Sequence, residues 1–204
     1  MLFRSNNLLK NQNDSYKEYP LNLNACLNCG HMQLGYFVNP DLLFKNYYYS
    51  SGTSYTLNRY FKWFAKECLK IKKKTKVLEI GSNDGSLLNK FRYYGYKTTG
   101  IDPAKNLCVI AKKKGHQIIN NYWPLKNRFN KNNFDIIVAQ NVFAHNCNPY
   151  KFLIGVKKSL KKTGISIIQT SQANMLEKFQ FDTIYHERSE EHTSELQSRL
   201  HLVC

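Results

Sequence analysis

Apolar and polar positions alternate along the middle of the chain in a pattern that predicts strands and helices in turn. Short apolar runs such as Val77–Ile80 and Phe134–Ala139 are typical of strands buried in a parallel sheet. Apolar residues spaced three and four apart predict an amphipathic helix over Thr56–Lys73. The other predicted elements are helices over Leu87–Tyr94, Leu107–Lys114 and Pro149–Leu160 and strands over Thr98–Ile101, Gln117–Ile119 and Gly164–Gln169. This alternation predicts an α/β, Rossmann-like fold with a mostly parallel sheet covered by helices on both faces.

Polar residues follow the predicted strands, at the point where each strand ends. They are Asn83 and Asp84 after the first strand, Asp102 after the second, Asn120 and Asn121 after the third, and Gln140, Asn141 and His145 after the fourth. Ligands of open α/β sheets bind beyond the carboxyl ends of the strands. We therefore expect the binding site at this edge.

The loop Gly81-Ser-Asn-Asp-Gly85 and the acid Asp102 together predict a nucleoside site. Glycines let the backbone approach a ligand closely, and an acid after the next strand can accept hydrogen bonds from both ribose hydroxyls. The pattern Glu79-x-Gly81-x-x-x-Gly85 lacks the middle glycine that a dinucleotide pyrophosphate requires. S-adenosylmethionine, a nucleoside without phosphate, therefore fits better than NAD. The plainer alternative is a strand, turn and helix followed by an incidental acid.

Composition limits the classes of function. The chain has 204 residues, 30 Lys and Arg against 14 Asp and Glu, and a formal net charge of +16. Such charge suits nucleic-acid binding, but the lysines are spread along the chain, which favours a solvated surface. No apolar run is long enough for a membrane span, and the amino terminus is too polar for a signal peptide. Six scattered cysteines favour reduced thiols in the cytoplasm.

Cys26-Leu-Asn-Cys29 forms a turn that can present two thiolates to one metal ion. A structural zinc site needs four ligands, and the chain contains no second C-x-x-C pair. His31 is in a poor position to add a third ligand. Two readings stay open: half of a zinc site, or a turn with two free thiols.

With these residues in view, the chain resembles the S-adenosylmethionine-dependent C-methyltransferases that act on nucleotide-activated keto-sugars. The matching segments, in family order, are Glu18-Tyr-Pro-Leu-Asn-Leu, Cys26-x-x-Cys-Gly-His-Met-Gln-Leu34, Tyr49-Ser-Ser-Gly-Thr-Ser54, Glu79-Ile-Gly-Ser-Asn-Asp-Gly85, Gly100-Ile-Asp-Pro-Ala104, Gln140-Asn-Val-Phe-Ala-His145 and Phe181-Asp-Thr-Ile-Tyr-His-Glu187. The resemblance implies a zinc-binding amino-terminal lobe, a class I methyltransferase domain and a carboxyl-terminal domain that helps to bind the sugar nucleotide.

Roles for individual residues follow from the strand-end pattern and this resemblance. The predicted cofactor-binding residues are Glu79, Gly81, Asn83, Asp84, Gly85, Asp102, Pro103, Asn120 and Asn141. By resemblance, His145 lies beside the reaction centre, Tyr185 and Glu187 line the sugar site, Tyr49 approaches from the amino-terminal lobe, and Cys26 and Cys29 ligate zinc. In the plainer alternative, His145 is a satisfied loop histidine and Tyr49 only packs in an aromatic cluster.

The chain departs from the family pattern near both ends. The first C-x-x-C pair of the zinc lobe is absent, and Arg188 stands where the family has its catalytic base, so we expect this chain to be inactive as written. The final 16 residues contain no Lys, Asn, Ile or Tyr and resemble translated adapter sequence. We predict a zinc-lobe remnant over residues 1–55, a methyltransferase domain over 56–188 and a non-native tail over 189–204. The alternatives are a basic nucleic-acid-binding zinc-knuckle module and a methyltransferase acting on RNA or a small molecule.

Overall fold

The computed structural model describes residues 19–20, 22–28, 32–73, 75–125, 133–170 and 201–203. The helices are α1 (Pro40–Phe44), α2 (Tyr55–Ile71), α3 (Ser86–Tyr93), α4 (Lys105–Lys113) and α5 (Pro149–Ser159), and 3₁₀ turns form at Ser51–Thr53 and Phe143–His145. The strands are β1 (Leu23–Ala25), β2 (Met32–Leu34), β3 (Lys76–Ile80), β4 (Lys97–Asp102), β5 (Gln117–Asn120), β6 (Phe134–Gln140), β7 (Leu160–Gln169) and β8 (His201–Val203).

One sheet with the order β5-β4-β3-β6-β7-β8 forms the centre of the fold. The first five strands in this order are parallel, and β8 pairs antiparallel with β7. Strands β1 and β2 form a separate antiparallel pair. The predicted Rossmann-like sheet is therefore confirmed, and the chain order reverses between β3 and β6, where ligands of such sheets bind.

Helix α2 forms where the sequence predicts it and buries one face. Ser54 caps its amino terminus, because the Ser54 Oγ accepts a hydrogen bond of 3.1 Å from the Leu57 amide. Phe61, Phe64 and Cys68 lie on the buried face and pack with residues of α3, β3 and β6. A second core cluster on the other face includes Phe134 and Phe152. Both faces of the sheet are thus covered, as the apolar runs predict.

Strand β7 begins four residues earlier than the sequence pattern predicts. Leu160 already pairs with Phe134, but the next pair is Ile136 with Ile165, so the register shifts between them. The Lys161 ammonium also holds the Asp135 carboxylate, at 2.9 and 2.8 Å from its two oxygens. The polar segment Lys161–Gly164 resembles a turn in the sequence, yet it is incorporated as an irregularity within the strand.

None of the helices in the described part of the chain has the length and hydropathy needed to cross a lipid bilayer.

His116, directly before β5, makes the stability of the fold sensitive to acid. Its Nδ1 lies 3.0 Å from Thr98 Oγ1 and its Nε2 lies 2.9 Å from Asn89 Oδ1. Burial, and then the positive charges of Arg92 and Lys114, lower the pKa of His116 to about 4. The folded chain therefore holds this imidazole neutral at a pH where the unfolded chain protonates it.

Stability from His116 is expected to be complete above pH 6.5 and to be lost as the pH falls towards about 4. At pH 5 the expected loss is about 2 kcal/mol relative to pH 7.5. Urea unfolding at the two pH values measures it, with His116→Gln as the comparison because glutamine does not titrate. An equal pH dependence in the two proteins would show that His116 does not carry the effect.

Candidate functional site

The glycine loop, Gly81–Gly85, connects β3 to α3 in a backbone conformation that suits glycine. Gly81 has φ 72° and Gly85 has φ 76°. The amides of Gly81 and Ser82 donate to the Ile101 carbonyl oxygen at 2.8 and 3.1 Å, which ties the loop to β4. A Cβ on Gly81 would overlap Val142 Cγ2. The loop is therefore packed closely against the turn after β6.

Gly81→Ala is expected to lower the free energy of unfolding by about 2 kcal/mol, from left-handed backbone strain and overpacking against Val142. Val142→Ala in the same chain removes the overpacking and leaves the strain. A double-mutant cycle in urea should therefore give a favourable coupling of about 1 kcal/mol. If the two substitutions change the free energy of unfolding additively, the glycine loop accommodates the added methyl group without contacting Val142.

Asp102, the last residue of β4, lies directly beside the glycine loop. Its Oδ2 accepts a hydrogen bond from the Asn83 amide and its Oδ1 accepts one from the Ala104 amide, both at 2.8 Å. A carboxylate has about four acceptor positions, so each oxygen keeps capacity for another donor. Burial raises the pKa of Asp102 to about 6, and the amides of Ala104 and Asn83 act in the opposite direction. The group fits a ligand that offers two hydroxyl donors.

Glu79, in β3, carries a buried polar atom without a partner. Its side chain is 5% exposed, and its Oε2 makes no hydrogen bond within the described residues. Burial, and then the charges of Asp102 and Asp84, raise the pKa of Glu79 well above its usual range. An unsatisfied buried carboxyl oxygen at this depth is available to a ligand or an ordered water.

A cleft of about 530 Å³ opens at Pro103, the residue that follows Asp102. Its walls include Pro103, Asn120 and Asn121 from the sheet edge and Asp41, Lys45 and Asn46 from α1 and the residues after it. Asn120 Nδ2 donates to the carbonyl oxygens of Asp102 and Pro103 at 3.0 and 2.8 Å, which fixes the backbone at the end of β4. The cleft has room for a planar base next to a ribose that Asp102 would hold.

The turn after β6 brings Asn141 and His145 to the same edge. Asn141 has φ 54°, and its amide donates to the Gln169 carbonyl oxygen at 3.0 Å. The His145 ring centre lies 5.7 Å from that of Phe44, the last residue of α1. Tyr49 is half-buried, and its carbonyl oxygen accepts a hydrogen bond of 3.1 Å from Asn83 Nδ2. Segments far apart in the chain thus meet at the carboxyl ends of the strands.

The structure gives Asn83 and Asp84 hydrogen-bond partners within residues 49–52. The predicted sugar-site residues Tyr185 and Glu187, together with Arg188, lie outside the described residues.

One polar group at this edge has no signal in the sequence. The Tyr60 hydroxyl donates to Gln169 Oε1 and accepts from Gln140 Nε2, both at 3.3 Å. In the sequence, Tyr60 belongs to the apolar face of a helix, where an aromatic residue predicts packing only. The ring does pack on Phe64, at 5.9 Å between ring centres, while the hydroxyl reaches the strand ends. The structure therefore adds Tyr60 and Gln169 to the candidate site.

Cys26 is exposed between β1 and β2, whereas Cys29 and His31 lie outside the described residues. No group of three or more His, Cys, Asp or Glu that could hold a metal ion occurs in the part of the chain that the structure describes. The described residues do not assemble a zinc site, and the zinc ligation predicted for Cys26 and Cys29 stays a prediction.

A parallel sheet, a glycine loop after its central strand and an acid at the end of the neighbouring strand define a class I, S-adenosylmethionine-dependent methyltransferase domain. The chain belongs to the Methyltransf_23 family of methyltransferase domains, which matches residues 53–202. It is also 28% identical over 193 residues to C-methyltransferase NovU of Streptomyces niveus. This alignment covers 89% of the chain but 46% of NovU, so the chain spans less than half of that relative's length.

Solved structures share the fold. The PH0226 protein of Pyrococcus horikoshii matches with a TM-score of 0.58 and 18% identity, over 64% of this chain and 66% of that one. YcgJ of Bacillus subtilis matches with a TM-score of 0.51 and 20% identity, over 59% of this chain and 56% of that one. The plantazolicin methyltransferase BpumL, in complex with a desmethyl plantazolicin analogue and S-adenosylhomocysteine (SAH), matches with a TM-score of 0.50 and 20% identity. The match covers 59% of this chain and 49% of that one.

Proposed function

We propose that the protein methylates a carbon next to the keto group of a nucleotide-activated deoxysugar, with S-adenosylmethionine as methyl donor and an enolate as the reacting form of the sugar. The observation that carries the proposal is the Asp102 carboxylate, buried beside the glycine loop with acceptor capacity on both oxygens. The similarity to a named C-methyltransferase supports transfer to carbon. The family segments quoted above support the sugar substrate.

The residues present fit the cofactor. We propose that Asp102 accepts both ribose hydroxyls, that Pro103, Asn120 and Asn121 flank the adenine in the cleft, and that Gly81 and Gly85 allow close approach of the loop. We propose that the unpartnered Oε2 of Glu79 and the turn at Asn141 face the amino-acid moiety of the cofactor. When bound, the cofactor supplies an electrophilic methyl group on a positively charged sulfur.

A carbon nucleophile requires removal of a proton beside the keto group. Histidine exchanges protons near neutral pH, whereas the guanidinium of Arg188 stays protonated and cannot act as a base. With Arg188 at the family's base position the chain is expected to be inactive as written, so methylation by this chain requires another base. Among the described residues at this edge we propose His145 for that role, with the Tyr49 hydroxyl donating a hydrogen bond to the enolate oxygen. Tyr185 and Glu187 are proposed to line the sugar site. The edge then contributes by holding the nucleophilic carbon in line with the methyl group.

Methyl transfer from ¹³C-methyl-labelled S-adenosylmethionine to a nucleoside-diphosphate keto-deoxysugar tests this proposal. The expected product carries the label on a carbon next to the former keto group, identified by carbon–carbon coupling in NMR. In D₂O without the methyl donor, the same carbon should exchange hydrogen for deuterium, because enolate formation is the separate first step. Transfer to an oxygen or nitrogen atom of the sugar nucleotide, or to RNA in its place, would contradict the proposal.

A further inference from the structure

Residues Tyr49–Thr53, here called the strap, cross the glycine loop and contact it through Asn83 and Asp84. The Asn83 Oδ1 accepts from the Ser51 amide at 3.0 Å, and its Nδ2 donates to the Tyr49 carbonyl oxygen at 3.1 Å. The Asp84 Oδ2 accepts from the Ser50 hydroxyl at 2.8 Å and from the Gly52 amide at 3.1 Å. Two adjacent side chains therefore bind four consecutive residues of the strap.

Close packing at Gly52 shows independently that the strap is seated on the loop. A Cβ on Gly52 would lie 2.5 Å from Asp84 Oδ2 and 2.7 Å from Ser86 Oγ. Real Cβ atoms do not approach other heavy atoms so closely, so a larger residue here would force either the strap or the side chains of Asp84 and Ser86 to shift. Gly52 is otherwise exposed to solvent.

Asp84 is held as an anion for this contact. Its carboxylate is 3% exposed and lies 3.1 Å from the Lys114 ammonium. Burial acts to raise its pKa, but hydrogen bonds from Ser86 and Ser50 and the contact with Lys114 outweigh burial and lower the pKa below its usual value. Hydrogen bonds to a charged acceptor are stronger than those between neutral groups.

The chain on both sides of the strap is fixed as well. Before it, the Tyr47 amide donates a hydrogen bond of 3.2 Å to Asn106 Oδ1, and the Tyr47 carbonyl oxygen accepts one of 2.7 Å from Asn106 Nδ2. After it, Ser54 caps α2, and Asn58 Nδ2 donates to the Gly52 carbonyl oxygen at 3.0 Å. The Asn83 amide meanwhile donates to Asp102 Oδ2 at 2.8 Å. One residue thus contacts both the proposed ribose carboxylate and the strap.

We propose that Asn83 and Asp84 are positioning residues whose side chains clamp the strap to the glycine loop and thereby place Tyr49 at the reaction centre. The clamp itself is inferred from contacts within the fold, whereas the placement of Tyr49 at the reaction centre rests on the proposed function. Both side chains were predicted from the sequence to bind the cofactor. Their contacts with residues 49–52 support the positioning role, and the cofactor-binding role stays a prediction.

Two variants break the clamp from opposite sides, and a third is the matched control. Asp84→Asn removes the anion, and Gly52→Ala disturbs the same contact from the strap without changing residue 84. Asp135→Asn is the control, because Asp135 is also a buried carboxylate bound by a lysine, Lys161, and by a backbone amide, that of Lys76. Asp135 lies at the start of β6, at the opposite end of the strand from the site.

The first readout is hydrogen–deuterium exchange of residues 49–53, followed by mass spectrometry in the SAH-free chain. Wild type and Asp135→Asn should protect this segment, and both clamp variants should exchange about ten-fold faster or more. A fluorotyrosine placed at position 49 should give one sharp ¹⁹F signal in the wild type and a shifted, broadened signal in the clamp variants. Unchanged exchange and an unchanged ¹⁹F signal in both clamp variants, or equal changes in Asp135→Asn, would overturn the proposal.

The second readout separates positioning from cofactor contact. SAH affinity should change less than about three-fold in Asp84→Asn, while kcat with the keto-sugar should fall at least ten-fold. A loss of affinity as large as the loss of kcat would make Asp84 a cofactor contact and overturn the positioning role. If the wild type does not bind SAH at all, the proposed function fails, yet the exchange comparison still decides whether the clamp exists.

Discussion

Asp102→Ala is expected to weaken SAH binding by about 1.5–3 kcal/mol, which corresponds to a factor of ~10 to 150 in Kd. The loss arises because both ribose hydroxyls would lose a charged acceptor at a buried position. Isothermal titration calorimetry measures it directly. Asp135→Ala, which removes another buried carboxylate away from the edge, is the control and should bind SAH as the wild type does. Equal affinities of wild type and Asp102→Ala would refute the assignment of Asp102 to the ribose.

The same residue predicts a pH dependence of binding. In the free chain burial raises the pKa of Asp102 to about 6, and ribose donors would stabilise the charged form, so binding lowers this pKa. Affinity should therefore be constant above about pH 7 and fall as the pH decreases through 6, with proton release on binding near that pH. Asp102→Asn should show neither effect. An affinity independent of pH between 5 and 7 in the wild type would contradict this account.

His145→Ala is expected to lower the rate of methyl transfer by ~10² to 10⁴, the usual contribution of a positioned general base. Deuterium exchange beside the keto group should decrease by the same factor, because both reactions require the same proton removal. Binding of SAH should be nearly unchanged, which distinguishes a chemical role from a structural one. If the wild type transfers methyl groups and His145→Ala does so equally fast, another residue is the base.

The sheet and its binding edge could be predicted because the sequence signals for them are local. Apolar runs and helical spacing identify β3, β4, β6, α2 and α4 to within a few residues. Parallel strands place their carboxyl ends together, so the sequence pattern predicts Asp102 and His145 at one edge. The start of β7 was missed because Lys161–Gly164 is polar, and its inclusion depends on pairing with β6.

The clamp and the Tyr60 group could not be predicted, because they depend on contacts between residues distant in the chain. Asp84 contacts Ser50 across 34 positions, and Tyr60 contacts Gln169 across 109. Periodicity reports which face of an element is buried but not which polar atoms meet after folding. The pair Asn83-Asp84 predicts a ligand contact, because a polar pair beside a glycine loop has the same sequence whether it holds a cofactor, a strap or both, and that ligand contact stays a prediction.

A crystal structure of the chain with SAH tests the central claim most directly. The account predicts both ribose hydroxyls within hydrogen-bonding distance of the two Asp102 carboxylate oxygens, the adenine in the cleft beside Pro103 and Asn121, and the sulfur facing the turn that carries His145. The strap should remain bound to Asn83 and Asp84. A nucleoside bound elsewhere, or one whose ribose does not contact Asp102, would contradict the account.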